Sequence, residues 1–211
     1  MASRPPKIYS PREEKLNVIS HAAGIILSII GLVLLLLRAA GTLEIFASLI
    51  YGLSLMTLFS GSTFYHAAQD PVKREKLRLL DHSAIYFLIA GTYTPLMLCI
   101  AHGKAEIVVL VIVWSLALIG VVLEMLRLKP FKGFTILLYA LMGWACLAVM
   151  PQLIRNLPST AFISLLAGGI AYTVGIPFYI MRKEFCHALW HFFVIAGAVL
   201  YFLCIYLVFL N

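Results

Sequence analysis

Two histidines near the end of the chain, His187 and His191, stand four residues apart. On a helix that spacing puts both imidazoles on one face. Such a pair can chelate a first-row metal ion, each neutral ring giving one nitrogen. A third histidine, His66, stands four residues after Ser62 and shares a helical face with that hydroxyl. Three imidazoles fill three positions around Zn²⁺ and leave the fourth open to water, as in catalytic zinc sites. Asp81 is the carboxylate that would hydrogen-bond the water, orient a ligand or act as a base. A lone His-x-x-x-His is common by chance. What gives this one weight is the depth at which the other polar residues fall.

The elements that must carry these residues are membrane helices. The chain has 211 residues, of which 63% are hydrophobic and 12% charged. Soluble domains carry roughly 25% charge. The apolar residues come in long blocks rather than stripes, and a spanning helix needs roughly 20 of them. Seven blocks qualify: Val18–Leu37, Glu44–Tyr65, Asp81–Ala101, Glu106–Leu126, Phe134–Met150, Thr160–Met181, and His187 almost to Asn211. The expected fold is therefore all-α, a bundle of seven transmembrane helices. It divides into a short basic segment, residues 1–17, and a transmembrane domain, residues 18–211. Gly91, Pro95 and Pro177 interrupt apolar stretches and predict bends. Gly24 with Ser28, and Gly168 with Gly169 and Tyr172, hint at close helix contacts.

The net charge of +7 does not indicate nucleic acid, because the basic residues lie in short loops between the apolar blocks. Those loops set orientation. Arg4, Lys7, Arg12, Lys15, Lys73, Arg74, Lys76, Arg78, Arg127, Lys129, Lys132, Arg182 and Lys183 fall on one side, against Arg38, Lys104 and Arg155 on the other. The positive-inside rule places the N-terminus in the cytoplasm and the C-terminus outside. A G-protein-coupled receptor runs the other way. The first block lacks a good cleavage context and reads as a retained helix.

Alternation of helix direction brings His21, His66, Asp81 and His187 to the same, cytoplasmic end. Ionisable groups at membrane depth are costly and face a cavity or a partner. The remaining polar residues have plainer readings. His21 suits a supporting or capping role, His82 an interfacial one, and His102 a solvated outer loop. Glu124 is expected to pair with Arg127 at the membrane edge. The tryptophans read as packing or interface anchors, and Cys99, Cys146, Cys186 and Cys204 as small apolar residues.

At these residues the sequence resembles the bacterial hemolysin III family, within the superfamily of progestin and adiponectin receptors. The matching stretches are Ser62-Thr63-Phe64-Tyr65-His66, Leu80-Asp81-His82-Ser83-Ala84-Ile85-Tyr86 running on to Gly91-Thr92-Tyr93-Thr94-Pro95, and His187-Ala188-Leu189-Trp190-His191. Glu14-Lys15-Leu16-Asn17 with Ser20-His21 also looks like the family's opening of the first helix. The likeness spans essentially the whole chain, with no departure at the key positions. It implies zinc held by His66, His187 and His191, with Asp81 and Ser62 as the family's aspartate and serine. The superfamily is linked to alkaline ceramidases and metal-dependent hydrolysis of lipid amides. The bacterial branch is named for a cytolytic, pore-forming activity and is linked to membrane homeostasis.

These readings converge on a zinc-dependent hydrolase in the bacterial cytoplasmic membrane, acting on a membrane lipid amide or ester, with Asp81 and Ser62 catalytic. Two alternatives remain open. One is a pore, cytolysin or transporter, which would need polar residues through the full depth of several helices. The other is a lipid-sensing regulator whose metal is structural.

Overall fold

The computed structural model describes residues 9–101, 103–128, 130–131 and 133–209. His102, Lys129, Lys132 and the two chain ends, which carry some of the orientation argument, lie outside the described residues. Among the described residues every regular element is a helix. Seven are long and apolar enough to cross a membrane: α1 Pro11–Arg38, α2 Thr42–Ala67, α3 Pro71–Ile100, α4 Lys104–Met125, α5 Phe134–Asn156, α6 Ser159–Ile180 and α7 Cys186–Val208. In a hydrocarbon surround each backbone must close its own hydrogen bonds, and helices do so within one segment. Large apolar side chains such as Ile26, Val108 and Ile163 point outward, while polar or small residues such as His66, His191, Ser62 and Gly168 are enclosed.

Two helices start earlier than the apolar blocks do. The first begins at Pro11, where the Ser10 hydroxyl accepts the Glu13 N–H at 3.3 Å. The third begins at Pro71, where Asp70 accepts the Lys73 N–H at 2.7 Å. Both starts combine a capping side chain with proline in the first turn. The intervening Lys, Arg and Glu residues are good helix formers and extend the helix beyond the apolar stretch. Asp81 therefore sits inside α3 rather than at its tip.

The fifth span departs most from expectation. Instead of ending at Met150 it continues to Asn156, through a break. Its α-helix stops at Gly143, a 3₁₀ turn covers Ala145–Val149, and helix resumes with Pro151 in its first turn. Tyr93 of α3 mends the ladder: its hydroxyl donates to the Gly143 carbonyl at 3.0 Å and accepts the Cys146 N–H at 2.7 Å. In α3 the interruption at Pro95 takes the form of a wider π turn over Leu96–Ile100.

Neighbouring helices pack in order, and α1 closes the circle against α7. The third helix is the most enclosed of the seven. Close approach needs small residues, as expected: a Cβ at Gly24 would overlap the Phe59 ring, and Gly168 lies against Tyr201. A cavity of about 430 Å³ remains inside, walled mainly by α2, α3, α5, α6 and α7.

Candidate metal centre

The start of α1, the end of α2, and the starts of α3 and α7 meet at one end of the bundle. His66 is the penultimate residue of α2, and His187 and His191 occupy the first two turns of α7. One ligand atom from each of these three buried histidines lies within 4.8 Å of the others. His66 Nε2 and His187 Nε2 are 3.2 Å apart. Among the described residues no fourth histidine, cysteine or carboxylate joins the group.

The first helix surrounds these rings. Glu14 Oε2 lies 2.6 Å from His66 Nδ1, and the same carboxylate is paired with Arg74 of α3. Ser20 Oγ lies 3.2 Å from His191 Nδ1. Glu13 accepts the backbone N–H of His187 at 3.2 Å, placing a carboxylate at the N-terminus of α7. His21 stacks on His191 with ring centroids 3.6 Å apart, and both its nitrogens lack a hydrogen-bond partner. It packs on one ring of the cluster rather than joining it.

Tyr9, just before α1, stacks on His187 at 4.6 Å. Burial, reinforced by nearby Tyr65 and Tyr179 and the Glu14 and Glu13 carboxylates, pushes its phenol well above the ordinary range. It is therefore a neutral hydrogen-bond donor over the site.

Ser62 and Asp81 border the same cavity as His187 and His191. Gly61, beside Ser62, faces the Asp81 backbone of α3, where even a Cβ would sit at an ordinary contact distance of 3.6 Å. Farther in, the walls turn aromatic, with Tyr93, Trp144 and Tyr201. Tyr201 lies ten residues beyond His191 on α7, roughly 15 Å deeper at 1.5 Å per residue.

Two expectations are corrected. Glu124 bonds His82 Nδ1 at 3.0 Å, whereas Arg127 reaches Glu75 at 3.1 Å. The fourth helix ends at Met125, and Arg127 has a left-handed φ of 57°, which turns it away from Glu124. His82, for its part, is not only interfacial: it lines the cavity beside Asp81. Trp114 and Trp144 act as packing anchors, donating to Thr94 and Thr173 at 3.2 and 3.1 Å. The roles of Tyr9, Glu13, Glu14, Asn17 and Ser20 are what the sequence reading missed. Its one signal was a polar stripe at positions 13, 17, 20 and 21, all on the buried face of α1.

The donor set fits a metal ion. Three buried imidazoles with carboxylate and hydroxyl partners suit Zn²⁺ and several other first-row divalent ions.

Comparison with known proteins agrees with this architecture. The profile of the family described as haemolysin-III related matches residues 9–202, a stretch that includes every residue of the cluster. Hemolysin-3 of Bacillus cereus is 39% identical over 198 residues, covering 92% of this chain and 90% of that protein. The hemolysin-3 homolog of Bacillus subtilis (strain 168) is 40% identical over 202 residues, covering 94% and 95%. The human monocyte to macrophage differentiation factor is 27% identical over 203 residues, covering 92% and 83%. With seven apolar helices and a match over nearly its full length, the chain belongs to the haemolysin-III-related family of multi-pass membrane proteins.

Proposed function

We propose that this protein is a zinc-dependent hydrolase of the cell membrane that cleaves a lipid amide or ester and contributes to membrane homeostasis. One observation carries the reading. Three buried imidazoles converge, and two of them, His187 and His191, share with Asp81 and Ser62 a cavity whose farther walls are aromatic and apolar. The volume, about 430 Å³, falls in the range of small-molecule sites, roughly 300–1,000 Å³.

When bound, a zinc ion supplies a Lewis acid and lowers the pKa of a coordinated water towards about 7. His66, His187 and His191 hold it. Asp81 accepts a proton at its carboxylate, and Ser62 orients that carboxylate or donates to the carbonyl oxygen. The aromatic depth takes the acyl chain and excludes water from it. A pore has less support, because the ionisable residues that line the cavity gather at one end and its farther walls are Tyr93, Trp144 and Tyr201. The polar end faces the cytoplasm in this reading, from the distribution of Lys and Arg. A reporter fused after Asn211 should then read out externally, and a cytoplasmic signal would reverse the assignment.

The test of catalysis uses purified protein and the lipid extract of cells lacking it. Asp81→Asn should abolish lipid turnover yet keep its metal, since Asp81 stands outside the ligand group. Full activity in that variant would remove Asp81 as the base. Loss of metal would make it a ligand and favour a structural site.

A further inference from the structure

The candidate ligands belong to α2 and α7, yet the groups that hold their second nitrogens belong to α1. We propose that Glu14 and Ser20 are positioning residues of the metal centre, fixing His66 and His191 in the tautomer that turns Nε2 towards the ion. This rests on the metal reading above and adds the residues that build the site.

The proton inventory decides the tautomers. An ionised carboxylate only accepts hydrogen bonds. The 2.6 Å contact between Glu14 Oε2 and His66 Nδ1 therefore places the hydrogen on Nδ1, and the Asn17 amide nitrogen, a longer 3.4 Å from the same atom, donates instead to Glu14 Oε2 at 3.5 Å. His66 Nε2 then carries the lone pair, and this is the atom that meets His187 Nε2 at 3.2 Å. The Ser20 hydroxyl has one hydrogen, directed at the Asn17 carbonyl at 3.0 Å. Its oxygen must accept from His191 Nδ1, 3.2 Å away. His191 is thereby left with its lone pair on Nε2 as well. Two of the three donors are thus set by α1 side chains.

Glu14 is itself held. Arg74 pairs with it from α3, and the Arg74 guanidinium lies over the Tyr65 ring at 4.7 Å. The arrangement repeats the carboxylate–histidine–metal relay, in which the outer carboxylate fixes ring orientation and raises the basicity of the ligand nitrogen. The relay sits where α1 packs against both α2 and α7. The plainer alternative is that Glu14 is a strut joining three helices, with no bearing on metal affinity.

A cobalt titration of the full-length protein in detergent separates the two. The visible bands of Co²⁺ report coordination, and competition with a chelator gives the affinity. Glu14→Gln should weaken Co²⁺ binding about ten- to a hundredfold, Glu14→Asp should recover part of it, and Ser20→Ala should lose less. A strut would lower the thermal midpoint and leave the cobalt affinity of the folded fraction unchanged. In ¹⁵N-histidine spectra, Glu14→Gln should lower the share of His66 in the Nδ1–H tautomer, since an amide can donate to Nδ1 as well as accept from it, whereas a carboxylate only accepts. If the wild type binds cobalt and Glu14→Gln binds it equally well, this inference falls and the metal reading stands. If the wild type binds none, both fall. Should Glu14→Gln fail to fold, Ser20→Ala decides: undiminished affinity there overturns the proposal.

Discussion

Two histidine–carboxylate pairs lie at the same end of the bundle. His66 meets Glu14 at 2.6 Å, and His82 meets Glu124 at 3.0 Å. Each joins two helices, each histidine has its carboxylate partner at Nδ1, and His66 and Glu124 are both deeply buried. They differ in what lies beyond the pair. His66 Nε2 converges with rings from α7, while His82 belongs to no three-residue cluster among the described residues. Its backbone carbonyl instead accepts the Tyr139 hydroxyl at 2.7 Å, tying α3 to α5. A histidine beside a carboxylate is thus only half a metal site. The other half is a third helix that delivers more nitrogens to the same point.

The comparison breaks most visibly at α7. His191→Ala removes one of three donors and should empty the site, leaving near-zero metal per chain by elemental analysis of purified protein. Glu124→Gln, at the other pair, should keep the wild-type metal content. Equal metal in both variants would show that the cluster is not the ligand set, and loss from both would show that the two pairs form one network.

The three-histidine cluster was legible because its signals are local. His187 with His191, and Ser62 with His66, declare themselves by a four-residue spacing, and alternation of helix direction puts them at one end. Seven spans were legible for the same reason, since apolar blocks need no partner to be recognised. What the sequence hid depends on neighbours. The break in α5 is stabilised by Tyr93, fifty residues earlier. The extra turns of α3 are charged, so no apolar run marks them. Glu124 and Arg127 have helical spacing on paper, but the helix ends between them and Arg127 turns to Glu75. The roles of Glu14 and Ser20 depend on which face α1 shows to α2 and α7. That rotation is set by packing, such as Gly24 against Phe59, and its one local trace is the polar stripe at positions 13, 17, 20 and 21.

The smallest expected effect tests the structural side of the comparison. Glu124 is only 3% exposed, so its hydrogen bonds are made in a poorly solvated place. His82→Ala takes away the donor 3.0 Å from it. Removing one partner of a buried polar pair costs about 1–3 kcal/mol, because the group left behind keeps its desolvation penalty. Glu124→Gln is gentler. The amide oxygen can still accept from His82 Nδ1–H, so this bond is weakened rather than lost, and the cost should be about 1 kcal/mol. The expected order of thermal midpoints in detergent is wild type, then Glu124→Gln, then His82→Ala, with metal content the same in all three. The double variant His82→Ala with Glu124→Gln should be less destabilised than the sum of the singles, since the two residues share one interaction. Strict additivity would mean that the 3.0 Å contact carries no energy of its own. Loss of metal from either single variant would mean that the second pair also supports the centre, and the contrast between the two pairs would be one of degree.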